Sequence, residues 1–130
     1  MTTRAVGTYT TTSWDENPYQ KEEGSATLAR AHVENVFSGE LAGKGILEYL
    51  LAYGSDGTAT YVGLQRFAGS IGGSEGTFVA RIEGTHTGKA AETWTIIEGS
   101  GTDGLAGISG TGSVRSVDNT TAEYEINYSL

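Results

Sequence analysis

The stretch that decides the fold is Gly45–Phe67, with the sequence GILEYLLAYGSDGTATYVGLQRF. Two runs of apolar and β-branched residues flank a short turn that contains two glycines, and this pattern predicts a β-hairpin. Closing the hairpin symmetrically on Ser55 and Asp56 pairs Tyr53 with Thr58. Because side chains alternate along a strand, this register divides the hairpin into two faces.

Both faces of the hairpin are largely apolar, whereas a sheet with one wet side alternates apolar and polar residues. Something must therefore cover each side. In a closed barrel one face lines the lumen and the other packs on a second subunit, so the pattern predicts a homo-oligomer. We interpret the face with a polar minority as the lumen. Its residues are Ile46, Glu48, Leu50, Ala52, Ala59, Tyr61, Gly63, Gln65 and Phe67.

The rest of the chain has the same β character, with Thr-, Val-, Ile- and Tyr-rich runs between Gly, Asp, Ser and Asn turns. The connections are short, so neighbouring strands are expected to be antiparallel, and eight strands suffice for a closed meander barrel. We expect one all-β domain over residues 1–130, with Asp15–Ser25 as a surface loop or a lid over one end. The predicted strands are Val6–Trp14, Thr27–Ser38, Gly45–Tyr53, Thr58–Gly69, Gly76–Gly84, Glu92–Glu98, Leu105–Val114 and Thr121–Tyr128.

Composition narrows the function classes. The chain has 20 Gly and no Cys, which excludes disulfides, cysteine nucleophiles and thiolate metal sites. Its net charge is −8 and its eight basic residues are scattered, which argues against nucleic acid and anionic membranes as partners. The sequence contains neither a signal-peptide pattern nor a run of about 20 apolar residues, so we expect a cytoplasmic protein.

The segment Trp94–Gly107, WTIIEGSGTDGLAG, contains the GxGxxG spacing of dinucleotide-binding proteins. That motif needs a helix directly after its glycines, because the helix N-terminus holds the pyrophosphate. Here a Gly recurs every few residues after Gly104, and each Gly costs a helix about 1 kcal/mol. The sequence therefore predicts a turn followed by a Gly-rich strand, and no bound cofactor.

Glu48 is the candidate catalytic residue. In the symmetric register it lies opposite Gly63, whose missing side chain leaves space, and diagonal to Tyr61 and Gln65. A carboxyl group among apolar neighbours has a raised pKa, which suits a general acid or base. The alternative is that Glu48 forms an ion pair with an arginine such as Arg30 or Arg66, or points to water.

The other candidates surround the same chamber. Continuing the register through the Gly72–Gly73 turn places Phe67 opposite Phe78 and Gln65 opposite Ala80. Apolar walls with a few placed polar groups are typical of a small-molecule pocket. The candidate substrate-binding residues are Trp14, Tyr61, Gly63, Gln65, Phe67 and Phe78.

Arg30, His32 and Glu34 alternate along one strand, so they share a side. His32 beside Glu34 could act as an acid–base pair. The alternative is an ordinary solvated face, because the intervening residues are small or apolar. With His86 as the one further histidine and no cysteine, we find no metal-ligand spacing.

Four segments carry a resemblance to a known family. They are TSWDENPY (Thr12–Tyr19), VFSGELAGKGILEYLLAY (Val36–Tyr53), ATYVGLQRFAGSIGGSEGTFV (Ala59–Val79) and GSGTDGLAGISGTG (Gly99–Gly112). They are similar to a bacterial family of small proteins of unknown function with an allene oxide cyclase-like barrel fold. The resemblance implies an oligomeric eight-stranded barrel whose lumen suits an apolar molecule.

The resemblance also bears on single residues. Glu48 and Arg30 match the family pattern. Gln65 stands where the family often has Glu, and Ile82 stands where it often has His, which puts any chemistry of those two groups in doubt here.

Related barrels include plant allene oxide cyclases and bacterial cyclases that fold polyketide chains. Holding a flexible substrate in a reactive shape lowers the barrier without a strong acid or base. The resemblance therefore implies a cofactor-independent cyclase or isomerase that acts on a polyketide- or fatty-acid-like molecule. Two alternatives remain: a non-catalytic carrier or sensor, and a structural barrel filled by its own side chains.

Overall fold

The protein is a closed, eight-stranded antiparallel barrel, seen in a computed structural model that describes residues 2–130. Each strand pairs with the next along the chain, and the last pairs with the first, which confirms the predicted all-β meander. Within these described residues, a single 3-10 turn, Asp103–Leu105, interrupts the β structure. The strands are β1 (Thr3–Gln20), β2 (Thr27–Gly39), β3 (Leu41–Tyr53), β4 (Ala59–Ile71), β5 (Ser74–His86), β6 (Ala90–Ile96), β7 (Ser109–Ser116) and β8 (Thr121–Ser129).

The β3–β4 hairpin differs from the predicted one by a single position of register. Tyr53 pairs with Ala59 rather than with Thr58. The turn holds five residues because Gly54 N–H bonds to the Thr58 carbonyl at 2.8 Å, and the Asp56 carboxylate accepts bonds from the Thr58 amide and hydroxyl. A shift of one residue turns every side chain of β3 to the opposite face relative to β4.

The corrected register leaves the β4 assignments inside the barrel and moves those on β3. Tyr61, Gln65 and Phe67 are buried in the lumen, as predicted. On β3 the buried residues are instead Leu47, Tyr49 and Leu51. The predicted pairs across the next hairpin, Phe67 with Phe78 and Gln65 with Ala80, are confirmed. The predicted lumen positions Ile46, Glu48 and Leu50 lie on the outer face.

β1 is longer than predicted and carries a bulge. It continues past Trp14 to Gln20, so much of the predicted irregular stretch is strand that pairs with β2 alone. The β1–β2 register shifts by one residue at Thr12. Such a bulge re-aims the following side chains. Trp14 therefore lies beside inward-facing Val33 and reaches Tyr49, with the two ring centroids 5.8 Å apart.

One end of the barrel is closed by residues 97–108, the connection between β6 and β7. No α-helix follows Gly104, which lies within the 3-10 turn, and β7 begins at Ser109 rather than at Leu105. Leu105 and Ile108 are fully buried and plug this end. The loop lies close to β5 because Gly76 has no side chain, and a Cβ there would collide with the Thr102 carbonyl.

The half of the lumen next to this plug is filled with aromatic rings. Phe37 lies at the centre, with ring centroids 5.3 Å from Phe67, 5.9 Å from Trp94 and 5.8 Å from Tyr124. Phe78 stacks on Phe67 at 5.2 Å. This packed half rigidly supports the opposite half, which is open.

Candidate functional site

A cavity of about 800 Å³ occupies the open half of the barrel. Its mouth lies between the β3–β4, β5–β6 and β7–β8 turns and the β1 extension. Five aromatic side chains dominate the walls, and a few polar groups lie among them. A volume of this size and such walls are typical of small-molecule sites. The five aromatic residues are Tyr9, Trp14, Tyr49, Tyr53 and Tyr61.

A buried carboxyl group, Glu92 on β6, contributes to the wall of this cavity. Its Oε1 accepts hydrogen bonds from Tyr49 at 3.1 Å and Tyr61 at 3.0 Å. Its Oε2 accepts one from the Trp94 indole at 2.7 Å. These donors come from three strands, so the carboxyl group ties together β3, β4 and β6.

Burial governs the protonation of this cluster. It raises the pKa of Glu92, and the three hydrogen bonds, led by that from Trp94, oppose the rise only in part. Burial also raises the pKa values of Tyr9 and Tyr49 well above their usual range, with the Glu92 carboxyl adding to the effect. The phenols are therefore hydrogen-bond donors throughout the accessible pH range.

A second carboxyl group organises the mouth. Glu16, on the β1 extension, accepts a hydrogen bond from the Trp14 indole at 2.9 Å and another from the Tyr53 hydroxyl at 2.5 Å. Burial, followed by this hydrogen bond, raises the pKa of Tyr53 to about 12. The contact of Trp14 with Tyr49 continues the aromatic wall from the mouth to Glu92.

Glu48, the predicted catalytic residue, lies outside the chamber, and its predicted position opposite Gly63 is wrong. It pairs with Leu64 on the outer face, and 42% of its side chain is exposed. Its Oε1 binds Arg30 at 2.9 Å, and its Oε2 contacts the His32 ring. Arg30, then His32, lowers the pKa of Glu48. The alternative interpretation, an ion pair with Arg30, is confirmed.

The neighbouring histidine belongs to the same solvated face. Arg30, His32 and Glu34 are all exposed, as the second interpretation of that strand predicted. The hydrogen bond to Glu48 raises the pKa of His32 more than any other effect, and Glu34 adds to it from 3.5 Å. This cluster is separated from the cavity by the barrel wall.

The remaining predicted site residues divide between the two halves of the lumen. Trp14 and Tyr61 line the cavity. Phe67 and Phe78 belong to the packed half. Gly63 makes room for a neighbouring ring, since a Cβ there would lie 2.8 Å from Tyr49 Cδ1.

Gln65 is fully buried and forms part of a polar chain. Its Oε1 accepts a hydrogen bond from the Asn35 amide at 3.1 Å, and Asn35 in turn accepts one from the Thr11 hydroxyl at 2.7 Å. Gln65 Nε2 has no hydrogen-bond partner within residues 2–130. The chain leads from the cavity wall, where Thr11 and Asn35 lie, into the packed half.

Sequence reasoning missed Glu92, although the sequence carries a signal for it. In the segment AETWTI, Glu92 is in phase with Trp94 and Ile96, which are both buried. A charged residue on the buried side of a strand is rare unless its charged group is paired. Glu92 was therefore as strong a candidate for the lumen carboxyl group as Glu48. The symmetric hairpin register made Glu48 the apparent lumen carboxylate instead.

A concave surface of about 950 Å³ also lies on the outside of the barrel, across β1 and β4–β8. Both of its arginines are already matched: Arg4 binds Glu125 at 2.6 Å and Arg115 binds Glu123 at 2.8 Å. The lumen, in contrast, holds an uncompensated carboxyl group. Within residues 2–130, no group of three or more His, Asp or Glu side chains is placed to hold a metal ion.

The fold and site define a class: an eight-stranded meander barrel plugged at one end, with an aromatic cavity and a buried carboxyl group at the other. Residues 5–128 match the family described as protein of unknown function (DUF3224), and the chain belongs to this family. The predicted resemblance to a family of unknown function is thereby confirmed.

A crystal structure of a DUF3224 family protein of unknown function from Shewanella oneidensis MR-1 is similar over the whole chain. The identity is 25% and the TM-score 0.81, and the match covers 100% of this chain and 98% of that one. No curated protein matches. The described residues contain no helix long and apolar enough to span a bilayer.

Proposed function

We propose that the protein binds an apolar small molecule in the cavity and holds it in a shape that favours cyclisation or isomerisation, without a cofactor. The observation that carries this proposal is the aromatic cavity of about 800 Å³ with one buried carboxyl group in its wall. Glu92 takes the role that the sequence suggested for Glu48, because Glu92 lies in the lumen.

The geometry supports catalysis by positioning. Aromatic rings from several strands surround the cavity, and they pack against the filled half of the lumen, which restricts their movement. A flexible chain confined between such walls loses most of its unreactive conformations before reaction, which lowers the barrier to an intramolecular step. Glu92 would anchor one polar group of the ligand and so set its orientation.

A cavity-filling variant tests binding. Ala59 lies in the cavity wall, and the adjacent Thr60 points to solvent on the same strand. We expect polyketide-like and fatty-acid-derived compounds to raise the melting temperature of wild type and Thr60→Phe, because a ligand stabilises the state that binds it. Ala59→Phe should abolish this shift. No shift for wild type across the panel would contradict the proposal and favour a structural barrel.

Turnover separates the cyclase from the alternative, a carrier or sensor. A cyclase converts a ligand that binds, and its product formation falls in Ala59→Phe. A carrier returns the extracted ligand unchanged after prolonged incubation. Mass spectrometry and chromatography of the incubated ligand distinguish the two.

A homo-oligomer is part of the proposal, and the outer face of β3 and β4 supports it. Ile46, Leu50, Val62 and Leu64 form a contiguous apolar patch, each about half exposed. Acidic Glu48 lies within the β3 edge of this patch, and Arg66 borders it on β4. A second copy that packs the same patch across a two-fold axis would bury these apolar residues.

Light scattering after size-exclusion chromatography tests this interface. We expect Leu50→Glu to reduce the wild-type oligomer to monomers, whereas Val117→Glu, at an exposed position on a distant turn, should leave it intact. A monomeric wild type would contradict the oligomer. For location we propose the cytoplasm, which the net charge of −8 supports by favouring a dissolved protein; cell fractionation tests it.

A further inference from the structure

The chemistry around Glu92 indicates which polar group a ligand must carry. No Lys, Arg or His within residues 2–130 forms an ion pair with Glu92, whose partners are two phenols and an indole. A buried charge without a counter-charge is costly, so the neutral acid is the form that fits this site. The raised pKa agrees with this assignment.

The hydrogen bonds to Glu92 indicate which of its two oxygens carries the acid proton. Oε1 already accepts from Tyr49 and Tyr61, which uses both of its lone pairs. The proton therefore belongs on Oε2, which accepts from Trp94. None of the described residues accepts a hydrogen bond from this O–H, and Glu92 borders the cavity. The acid thus has one unused donor, and the cavity is where an acceptor can enter.

Tyr9 supplies a second, independent donor in the same cavity. Its side chain is 7% exposed and packs on Phe37 at 5.0 Å. Its hydroxyl makes no hydrogen bond to any residue in the described range 2–130, although the ring lines the cavity. Gln65 Nε2 is the one fully buried side-chain polar atom without a partner in this range, so the Tyr9 hydroxyl itself is accessible, and a ligand or water in the cavity can accept its hydrogen bond.

We propose that the cavity selects a neutral molecule with an apolar body and a carbonyl oxygen, which accepts hydrogen bonds from Glu92 and Tyr9. This inference rests on the proposed function, because it concerns the occupant of the same cavity. Two unused donors select an acceptor. An ammonium group offers only further donors. The basic residues that line the cavity, His86 and Lys89, lie at the β5–β6 turn at its mouth, and no ion pair joins either of them to Glu92, so a carboxylate beside Glu92 would have no cation to pair with it.

Four naphthalene derivatives of similar shape test this selectivity: acetylnaphthalene, ethylnaphthalene, naphthylethylamine and naphthoate. Calorimetric titration of wild type should show acetylnaphthalene binding about tenfold more tightly than ethylnaphthalene, the ratio of one good hydrogen bond. The amine and the carboxylate should bind more weakly than the ketone.

Variants assign the preference to the two donors. Glu92→Gln retains an N–H donor and should keep the preference for the ketone, whereas Glu92→Leu should reduce it to about twofold or less. Tyr9→Phe removes a hydroxyl that has no partner in the described structure, so it should fold normally and weaken the ketone alone. Glu48→Gln, on the outer face, is the matched control and should bind all four probes as wild type does.

The outcomes separate this inference from the proposed function. If the ethyl and acetyl compounds bind equally, or the amine or carboxylate binds most tightly, the cavity binds ligands but the carbonyl inference is wrong. An unchanged preference in Tyr9→Phe together with Glu92→Leu would also overturn it. If no probe binds wild type, the proposed function fails and this inference fails with it.

Discussion

Replacing Gly63 by alanine tests how tightly the aromatic wall is built. A Cβ at this position would lie 2.5 Å from the Glu48 carbonyl oxygen and 2.8 Å from Tyr49 Cδ1. Neither group can move freely. The carbonyl belongs to the neighbouring strand, and the Tyr49 ring is held edge-on to Tyr61 at 4.8 Å with its hydroxyl on Glu92.

Two effects of opposite sign decide the magnitude. Gly63 does not have a positive φ, so alanine there would gain about 0.4–1 kcal/mol by restricting the unfolded chain. Overpacking a tight interior costs about 1–3 kcal/mol. The cost of overpacking exceeds the gain, so we expect the free energy of unfolding to fall by about 1–2 kcal/mol. In a chain of this size, 1 kcal/mol moves the melting temperature by about 4 °C, so the expected decrease is about 4–8 °C.

Thermal unfolding followed by near- and far-ultraviolet circular dichroism measures this loss. Gly54→Ala is the control, because a Cβ there meets only the Asp56 carboxylate oxygen, at 3.0 Å, and more distant atoms of Thr58. The near-ultraviolet signal should change in the Gly63 variant and not in the control. A Gly63→Ala protein as stable as wild type would refute the account of this wall.

Three further predictions concern single groups. First, the pKa of Glu92 in the folded state lies above the usual 4.5, so above pH 4.5 unfolding releases its proton. Urea titrations should therefore show that wild type loses stability relative to Glu92→Gln as pH rises from 4.5, by at most about 1.4 kcal/mol per pH unit. A constant difference in stability would show that Glu92 is ionised in the folded protein. Second, the Tyr124 hydroxyl accepts a hydrogen bond from the Leu41 amide at 2.8 Å, so Tyr124→Phe should lower the free energy of unfolding by about 1–3 kcal/mol. The control is Tyr128→Phe, which should cause no such loss because the Tyr128 hydroxyl has no hydrogen bond within residues 2–130. Equal losses in the two variants would contradict the assignment. Third, Glu48→Gln should leave ligand-induced thermal shifts unchanged, since Glu48 lies outside the lumen; a lost shift would restore it as a site residue.

The sequence predicted the architecture because turns and β-branched runs alternate along the entire chain. It could not predict the length of β1, since the bulge at Thr12 interrupts the alternation that would have revealed Asp15–Gln20 as strand. Nor could the sequence show whether Leu105 lies in a strand or in the loop that plugs the barrel. Both positions are buried, and a buried position favours an apolar residue in either case.

The placement of the candidate residues was predicted in part, and the error has one physical source. Tyr61 and Trp14 line the cavity, as expected. Glu48 was placed in the lumen because the turn was taken as four residues, whereas hydrogen bonds from Thr58 to the Asp56 carboxylate stabilise a turn of five. With both faces of the hairpin apolar, alternation gave no independent check of the register, and the buried Glu92 was overlooked.

The central claim is that the open half of the lumen holds an apolar ligand. Native mass spectrometry of the freshly purified protein tests it most directly, with Ala59→Phe as the filled cavity and Thr60→Phe as the control. We predict one bound small molecule on wild type and Thr60→Phe, and none on Ala59→Phe. The same bound mass on all three proteins would show that the ligand lies elsewhere, and the bare chain mass in every case would contradict a cavity that retains a ligand.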